Sequence, residues 1–278
     1  MEIDPLVKVE SKINRLWQST GKRREKMLKW RVASKTHEGR QRPKNEDNCY
    51  VSPDERVFVV ADGMGGALGG ARASKLTVDA IAQLWNDRRP HSSDLEAIKQ
   101  WLQDAVLLAN RSVFSVAEQD ASVRGMGTTV VVAVQSDSNK LQIAHVGDSR
   151  AYLLRDNKPV LLTQDHSVVQ EMVRAGRLTE EQARINPYKN LITRCLGHDD
   201  KVEIDLTPVE IKPNDWIVLC TDGLPTVLRD EQISSVVENM DDPAAACGEL
   251  VNQTLDGGAP DNVTVVAVRY FENENGNG

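Results

Sequence analysis

The sequence predicts an α+β fold, a four-layer α-β-β-α sandwich of two antiparallel sheets with a helix pair on each outer side. About ten strand-like segments occur along the 278 residues, and two pairs of helical segments interrupt them. Regular alternation of strands and helices, which would indicate a parallel sheet, is absent. Some strands are apolar at every position, which is typical of strands buried on both faces.

Each element is predicted from its spacing of apolar residues. The predicted strands are, in order, Val57–Val60, Thr128–Val134, Leu141–Val146, Ala151–Leu154, Val202–Leu206, Val209–Ile211, Trp216–Cys220 and Val263–Tyr270. The predicted helices are Ala71–Trp85, Asp94–Glu118, Asp230–Glu238 and Pro243–Leu255, where apolar residues recur at helical spacing. Residues 166–195 are polar and mostly helical (His166–Ala175, Thr179–Arg184), and predict an excursion from the core.

The chain divides into a basic N-terminal extension (1–28), one domain (29–271) and a polar tail (272–278). Residues 8–31 hold nine Lys and Arg against two Glu, a net charge of +7, so the remainder carries −14 of the total of −7. Three roles for the extension stay open: a solvated arm, a docking segment for an acidic partner, and contact with an anionic membrane surface, which is the least favoured.

Composition excludes several classes of protein. The acidic body argues against nucleic-acid binding. No apolar stretch reaches the ~18 residues of a membrane span, and the N-terminus lacks the apolar segment of a signal peptide. The four cysteines are scattered without a CxxC pattern, which predicts reduced thiols and a cytoplasmic protein.

Four aspartates stand at the ends of apolar strands. Asp62, Asp148 and Asp222 follow such strands, and Asp261 precedes the last one. Any one Asp-Gly pair is more often a turn than a ligand. However, no strand directly follows Asp62-Gly63 or Asp222-Gly223, so the hairpin interpretation fails at these two. If the four ends converge, hard carboxylate oxygens predict Mg²⁺ or Mn²⁺ rather than zinc, because the five histidines show no ligand spacing.

A phosphate substrate is consistent with such a site. A pair of divalent ions typically activates water for in-line attack on phosphorus. Phosphate also needs a cationic partner, for which Arg is the best bidentate group. Arg42 is the candidate, and its alternative interpretation is a solvated arginine in a basic loop.

Seven ordered motifs carry a resemblance to a known family. They are Arg42-Pro43-Lys44-Asn45-Glu46-Asp47, Asp62-Gly63-Met64-Gly65-Gly66, Gly127-Thr128-Thr129, Val146-Gly147-Asp148-Ser149-Arg150, Thr163-Gln164-Asp165-His166-Ser167, Thr221-Asp222-Gly223-Leu224 and Asp261-Asn262. In this order the chain, over roughly residues 30–270, resembles the metal-dependent serine/threonine protein phosphatases of type 2C, also called PPM, and the bacterial branch most of all.

The resemblance implies a role for each matching residue. Asp62 would bridge two metal ions, and the Gly63 carbonyl would bind one of them. Asp222 and Asp261 would complete the first ion, and Asp148 with Asp222 would hold a third, weaker one. The remaining implied roles are metal or metal-bound water for Glu46 and Asp47, substrate phosphate for Arg42, and support behind the ligands for Asn262.

The implied mechanism is direct attack on phosphorus by a hydroxide that bridges two Mn²⁺ or Mg²⁺ ions, without a covalent intermediate. Residues 166–195 match the flap of the family, which lies beside the active site and influences substrate choice. Met64 departs from the pattern, because some eukaryotic members carry there a His proposed as general acid. A metal-bound water or another residue must therefore protonate the leaving oxygen.

The predicted function is hydrolysis of phosphoserine and phosphothreonine in phosphorylated proteins, in opposition to a serine/threonine kinase and as a monomer. A catalytically silent, phosphoprotein-binding regulator of the same fold is the alternative, and the intact set of carboxylates counts against it. A phosphohydrolase acting on small molecules is a third possibility, which a comparison of phosphopeptide with nucleotide hydrolysis would separate.

Overall fold

The computed structural model describes residues 27–273, and within this range two antiparallel sheets pack face to face. One sheet has the spatial order β1 (Lys29–His37), β11 (Val263–Phe271), β10 (Trp216–Cys220), β7 (Arg150–Arg155) and β8 (Lys158–Leu161). The other has the order β2 (Asp47–Val51), β3 (Val57–Met64), β5 (Val130–Gln135), β6 (Lys140–Val146) and β9 (Asp205–Glu210), with the short β4 (Gly127–Thr128) paired to β3.

Helices cover the outer faces of both sheets. The described helices are α1 (Gly66–Asp87), α2 (Leu95–Gln119), α3 (Val168–Arg174), α4 (Glu180–Arg184), α5 (Gly223–Val227), α6 (Asp230–Glu238) and α7 (Pro243–Asp256), with a 3₁₀ turn at Ala121–Val123. The helices α1 and α2 pack on the six-stranded sheet, and α6 and α7 pack on the five-stranded sheet. The predicted α-β-β-α sandwich is thus confirmed.

Strand β3 shows why an unbroken apolar run predicts a strand in the middle of this sandwich. Side chains alternate between the two faces of a strand. Val57 and Val59 therefore pack against the helices α1 and α2, whereas Phe58 and Val60 pack between the sheets. All four are fully buried. The strand β3 therefore contributes to two hydrophobic layers, one under the helices and one between the sheets.

Three edge or near-edge strands were not predicted. The strands β1, β2 and β8 have polar, partly exposed residues at alternate or most positions, so they lack the apolar run by which the interior strands were recognised. The two segments predicted around Pro208 form the single strand β9 instead. Pro208 is tolerated there because β9 lies at the edge of its sheet, where one face of the backbone needs no partner.

Two helix boundaries also differ from the prediction. The first helix begins at Gly66, inside the glycine cluster, rather than at Ala71. The short helix α5 follows Asp222 directly, where the sequence indicated a loop. In both places glycine lowers helix propensity without preventing a helix that tertiary packing stabilises.

The loop Gly147–Ser149 connects the two sheets rather than closing a hairpin. The strand β6 belongs to the six-stranded sheet and β7 to the five-stranded sheet. At Gly147-Asp148 a strand does follow, which left a hairpin turn as an interpretation from sequence; that interpretation is wrong, because the next strand pairs with β10 and β8 and not with β6. This crossing places Asp148 at the border of the two sheets.

Most of the predicted N-terminal extension and tail lies outside the described residues, which begin at Met27 and end at Asn273. Leu28, which was assigned to the extension, is buried, and its backbone N–H donates to Asn139 Oδ1 at 2.8 Å. Among residues 27–273, no helix combines the length and the apolar character needed to span a bilayer.

One buried hydrogen bond connects the two sheets and gives a stability prediction. The Tyr270 hydroxyl on β11 donates to Gln135 Oε1 at the end of β5, at 2.7 Å. Tyr270→Phe leaves this buried acceptor unpaired, so we expect the free energy of unfolding to fall by about 1–3 kcal/mol. Urea unfolding measures the change.

Tyr50→Phe is the matched control, because the buried Tyr50 hydroxyl has no hydrogen-bond partner among the described residues. Its removal should leave the stability unchanged or slightly higher. Equal losses in the two variants would contradict the importance of the Tyr270–Gln135 bond.

Candidate metal centre

The four strand-end aspartates line one cavity of about 410 Å³ at an end of the sandwich. Asp62 on β3 and Asp148 after β6 come from the six-stranded sheet. Asp222 after β10 and Asp261 before β11 come from the five-stranded sheet. The structure therefore brings the predicted set together across the sheet interface, and its role in binding metal stays a prediction.

Two threonines hold the backbone of Asp62. Its carbonyl accepts hydrogen bonds from the Thr129 N–H at 2.9 Å and from the Thr128 hydroxyl at 2.7 Å. Its N–H donates to Thr129 Oγ1 at 3.1 Å. The chain at Asp62 is thus fixed independently of its carboxylate, which leaves the carboxylate available to the cavity.

The glycines after Asp62 and Asp222 are required by close backbone contacts. A Cβ on Gly63 would lie 2.0 Å from the Gly70 carbonyl oxygen, and one on Gly223 would lie 1.9 Å from the Asn262 carbonyl oxygen. No side chain fits at either position without moving backbone. The loops that carry the aspartates therefore pack directly against their neighbours.

Asp47 is a buried member of the cluster. It pairs in register with Asp62 between β2 and β3, and it is 5% exposed. Its Oδ2 accepts hydrogen bonds from the hydroxyls of Thr221 at 2.7 Å and Thr264 at 2.8 Å. The sequence analysis did not recognise this role of the two threonines, although Thr264 interrupts an otherwise apolar strand, which is a signal for a polar contact.

Two carboxylate oxygens in the cluster are buried without a hydrogen bond. Asp47 Oδ1 and Asp222 Oδ1 have no partner among the described residues. An unpaired buried carboxylate oxygen is costly, and a bound cation removes that cost. Oxygen ligands from several carboxylates suit Mg²⁺ or Mn²⁺. The residues present therefore fit the predicted ions.

The electrostatics of the cluster indicate the same need. Burial raises the pKa of Asp47 to about 7, against the opposing effect of its two threonine hydrogen bonds. Burial and the nearby Asp261 raise the pKa of Asp222 to about 6. Burial and repulsion from neighbouring carboxylates raise the pKa values of Asp62 and Asp148 well above the ordinary value. Without cations, protons must supply part of the missing positive charge.

Arg42 lies at the mouth of this cavity. Its Nη2 donates to Asp261 Oδ2 at 2.6 Å, and its side chain is 49% exposed. The hydrogen bond to Asp261 raises the pKa of Arg42 above its ordinary value. The guanidinium thus points at the cluster and remains accessible to an anion from solvent.

Asn262 organises the loop that carries Arg42 and Glu46. Its Oδ1 accepts from the Glu46 N–H at 2.8 Å, and its Nδ2 donates to the carbonyls of Glu38 at 2.8 Å and Lys44 at 2.9 Å. Glu46 lines the cavity, and burial raises the pKa of its carboxyl. Asn262 therefore holds this loop through backbone contacts, and its role as support behind the ligands stays a prediction.

A second cavity, of about 580 Å³, lies beside the first under residues 166–195. Asp148, Asn190 and Asp222 line both cavities. The outer wall contains the ion pair between Arg229 and Glu181, at 2.7 Å, which joins α4 to the residue before α6. The predicted excursion therefore flanks the aspartate cluster, and Asn190 is a residue of the site that sequence reasoning did not identify.

A different group of potential ligands lies at the base of this excursion. The ligand atoms of His145, His166 and Asp205 lie within 4.8 Å of one another, so the structure joins histidines that show no ligand spacing in the sequence. The two rings stack at 4.8 Å between centroids, however, and the guanidinium of Arg194 donates to Asp205 at 2.9 Å. Burial lowers the pKa of both histidines. A hydrogen-bonded group of neutral rings accounts for this arrangement without an ion.

Comparison with known families finds similar proteins over most of this chain. The family model described as protein phosphatase 2C matches residues 34–256. The serine/threonine phosphatase stp of Listeria welshimeri is 34% identical over 237 residues, which cover 84% of this chain and 93% of the relative. The serine/threonine protein phosphatase PstP of Mycobacterium tuberculosis is 38% identical over 247 residues, 88% of this chain and 46% of that protein.

A solved structure is similar over the same range. It is the catalytic domain of the serine/threonine protein phosphatase PstP in complex with two manganese ions, with a TM-score of 0.78 and 36% identity. The match covers 88% of this chain and all of that chain. A similar fold and two bound manganese ions are thus found together in that protein.

The raised pKa values predict how the metal-free protein responds to pH. An unfolded Asp titrates near pH 4, and the folded values for Asp47 and Asp222 are about 7 and about 6. Because folding raises these values, their contribution to stability is greatest below about pH 4 and is lost as the pH rises towards about 7. In EDTA, the melting temperature should fall over that range, and Mn²⁺ should restore it.

Asp62→Asn removes one of the repelling carboxylates and should raise the melting temperature of the metal-free protein at pH 7.5. A gain of 1 kcal/mol corresponds to about 2–4 °C in a chain of this size. Asp104→Asn on the exposed surface of α2 is the control and should have no such effect. A melting temperature of metal-free Asp62→Asn below that of the wild type would contradict the electrostatic account.

Proposed function

We propose, from the premise that this chain belongs to the protein phosphatase 2C family, that its aspartate cluster hydrolyses phosphoserine and phosphothreonine in phosphorylated proteins. The chain is a metal-dependent phosphoprotein phosphatase, as its family and its similarity to named serine/threonine phosphatases show. One observation carries the assignment of the site. Aspartates from four strands of two sheets line a single cavity with an accessible arginine at its mouth.

The proposed ligands divide between the two sheets. We assign Asp62, the Gly63 carbonyl, Asp222 and Asp261 to two core ions, Mn²⁺ or Mg²⁺, with Glu46 and Asp47 beside them. Asp148 and Asp222 would hold a third, weaker ion. When bound, such ions would supply an activated water and neutralise charge on the phosphoryl group. The unpartnered oxygens of Asp47 and Asp222 support this assignment.

Arg42 would bind the substrate phosphate. In the structure its guanidinium is paired with Asp261. When the carboxylate of Asp261 serves as a cation ligand, its attraction for Arg42 decreases, and the guanidinium becomes available for a bidentate contact with phosphate oxygens. The Asn262 amide would keep the loop of Arg42 in place through its contacts with the Lys44 and Glu38 carbonyls.

We also propose an opposing serine/threonine kinase, a monomeric state and a cytoplasmic location. The phosphoprotein substrate supports the first, and the absence of disulfides among the four cysteines supports the last. A silent phosphoprotein-binding regulator is the alternative function. It would not require every carboxylate of the cluster to be present, as they are here.

Hydrolysis of a phosphothreonine peptide tests the proposal. Activity should be lost in EDTA and restored by Mn²⁺ or Mg²⁺. Asp62→Asn and Asp222→Asn should each lower kcat by at least about 100-fold, because each removes charge stabilisation at the reacting phosphoryl group. Asp104→Asn is the control with activity unchanged. Absence of turnover in the folded wild type with any divalent ion would favour the regulator, and faster turnover of a nucleotide would favour a small-molecule hydrolase.

Arg42→Ala should lower kcat/KM for the same peptide by about tenfold or more, because a charge-assisted hydrogen bond is worth roughly 1.5–3 kcal/mol. The matched control is Arg40→Ala, two residues away in the same basic loop, whose Nε donates to the Leu255 carbonyl. Steady-state kinetics of both variants measure the difference. Equal decreases of kcat/KM in the two variants would indicate that Arg42 acts through its surface charge rather than by binding the phosphate.

A further inference from the structure

The flap, defined as residues 166–195, leaves and rejoins the body at one point. The His166 N–H donates to the Gly147 carbonyl at 3.0 Å, and the Thr193 N–H donates to the His166 carbonyl at 2.7 Å. Ser167 and Ile192 form a β-bridge next to this point. Both ends of the flap are therefore fastened at His166, against the loop between β6 and β7.

The side chain of His166 extends this junction. The ring is 3% exposed, and its Nδ1 accepts a hydrogen bond from the Gly147 N–H at 3.0 Å. An accepting Nδ1 places the proton of the neutral ring on Nε2, which lies 3.3 Å from Asp205 Oδ2 and 3.2 Å from Arg194 Nη1. Arg194, at the returning end of the flap, donates to the other oxygen of Asp205 at 2.9 Å. One ring thus joins the flap, β9 and the Gly147 loop.

Gly147 has little freedom to move relative to its neighbours. Its φ of +105° suits glycine, and a Cβ there would lie 2.6 Å from Thr129. On the other side of Asp148, the Ser149 hydroxyl is hydrogen-bonded to that of Thr129 at 2.7 Å. Asp148 therefore lies between two fixed residues. One of them, Gly147, is hydrogen-bonded to His166 through both the Gly147 N–H and the Gly147 carbonyl.

We infer that His166 is a positioning residue that sets the place of Asp148 and thereby couples the base of the flap to the third metal position. The inference rests on the proposed function, in which Asp148 is a metal ligand. His166 acts through the Gly147 backbone and touches neither substrate nor metal. A displacement of the flap base would shift the Gly147 loop, and the carboxylate of Asp148 with it.

Two substitutions separate the two nitrogens of the ring. His166→Asn keeps an acceptor close to the position of Nδ1, so it can still bind the Gly147 N–H. His166→Gln places its amide nearer to Nε2, so it can still bind Asp205 but loses the contact with Gly147. Each variant loses the contacts of one ring nitrogen, and a purely structural role predicts losses of melting temperature with unchanged metal binding in both.

Calorimetric titration with Mn²⁺ tests the coupling, with Asp148→Asn as the reference for a damaged third position. We expect His166→Gln to weaken the weakest Mn²⁺ site on the order of tenfold, the usual effect of removing a group that orients a ligand. His166→Asn should keep the affinity close to that of the wild type. Equal Mn²⁺ affinity in His166→Gln and the wild type, while Asp148→Asn weakens binding, would overturn this inference and leave the proposed function standing. No effect of Asp148→Asn would overturn the ligand assignment together with the inference.

A measurement on the wild type avoids any folding defect of a variant. Long-range ¹H–¹⁵N correlation spectra of the histidine rings report which nitrogen carries the proton. We expect His166 as the tautomer protonated at Nε2, with Nδ1 accepting from Gly147. A His166 ring protonated at Nδ1 would exclude the contact on which the coupling depends and would overturn the inference.

Discussion

The main constraint on this structure is the mutual repulsion of carboxylates that folding brings together in one buried cluster. Asp47, Asp62, Asp148 and Asp222 all have pKa values raised by burial, and in each case neighbouring carboxylates add to the effect. Two oxygens of this group, Asp47 Oδ1 and Asp222 Oδ1, are buried without a hydrogen-bond partner among the described residues. The apolar core must therefore stabilise a fold whose carboxylate cluster is destabilising in the absence of cations, which is a common relation between stability and function.

The sandwich architecture decides which carboxylates meet. Asp62 lies on one sheet, Asp222 and Asp261 flank strands of the other, and Asp148 lies in the loop between them, so the relative position of the sheets sets the geometry of the site. Close packing between Phe58 and Val60 on one side and Leu219 and Val266 on the other fixes that position, because a packed interface resists sliding. Thr221 directly follows β10, and Thr264 lies on β11. Their hydroxyls donate hydrogen bonds to Asp47 of the opposite sheet, which links the sheet interface directly to the cluster.

The elements that could be predicted from the sequence are those in which the residues have a similar environment along the whole element. Strands such as β3 and β10 are buried on both faces, and α2 begins directly after Asp94, whose side chain accepts a hydrogen bond from the Ala97 N–H, so local pattern and final structure agree. The edge strands β1, β2 and β8 were missed because many of their residues are polar or only partly buried, so they lack a continuous apolar run. The aspartates could be identified because each follows or precedes an apolar strand. The contacts of His166 with Gly147 and Asp205 could not be predicted. Gly147 lies 19 residues before His166 and Asp205 lies 39 residues after it, and no local pattern marks either contact.

The flap and the aspartate cluster would form one thermodynamic unit if His166 positions Asp148. Asp148, Asn190 and Asp222 line both the cluster cavity and the cavity under the flap, so a ligand in either cavity meets the same carboxylates. Coupling between two sites is reciprocal. If an ion at Asp148 favours one position of the flap base, a protein substrate that favours the same position must also favour binding of that ion. The exposed Arg229–Glu181 pair at the far side of the flap contributes at most about 1 kcal/mol, so it restrains the flap only weakly. The buried His166 ring at the base therefore sets the position of the flap.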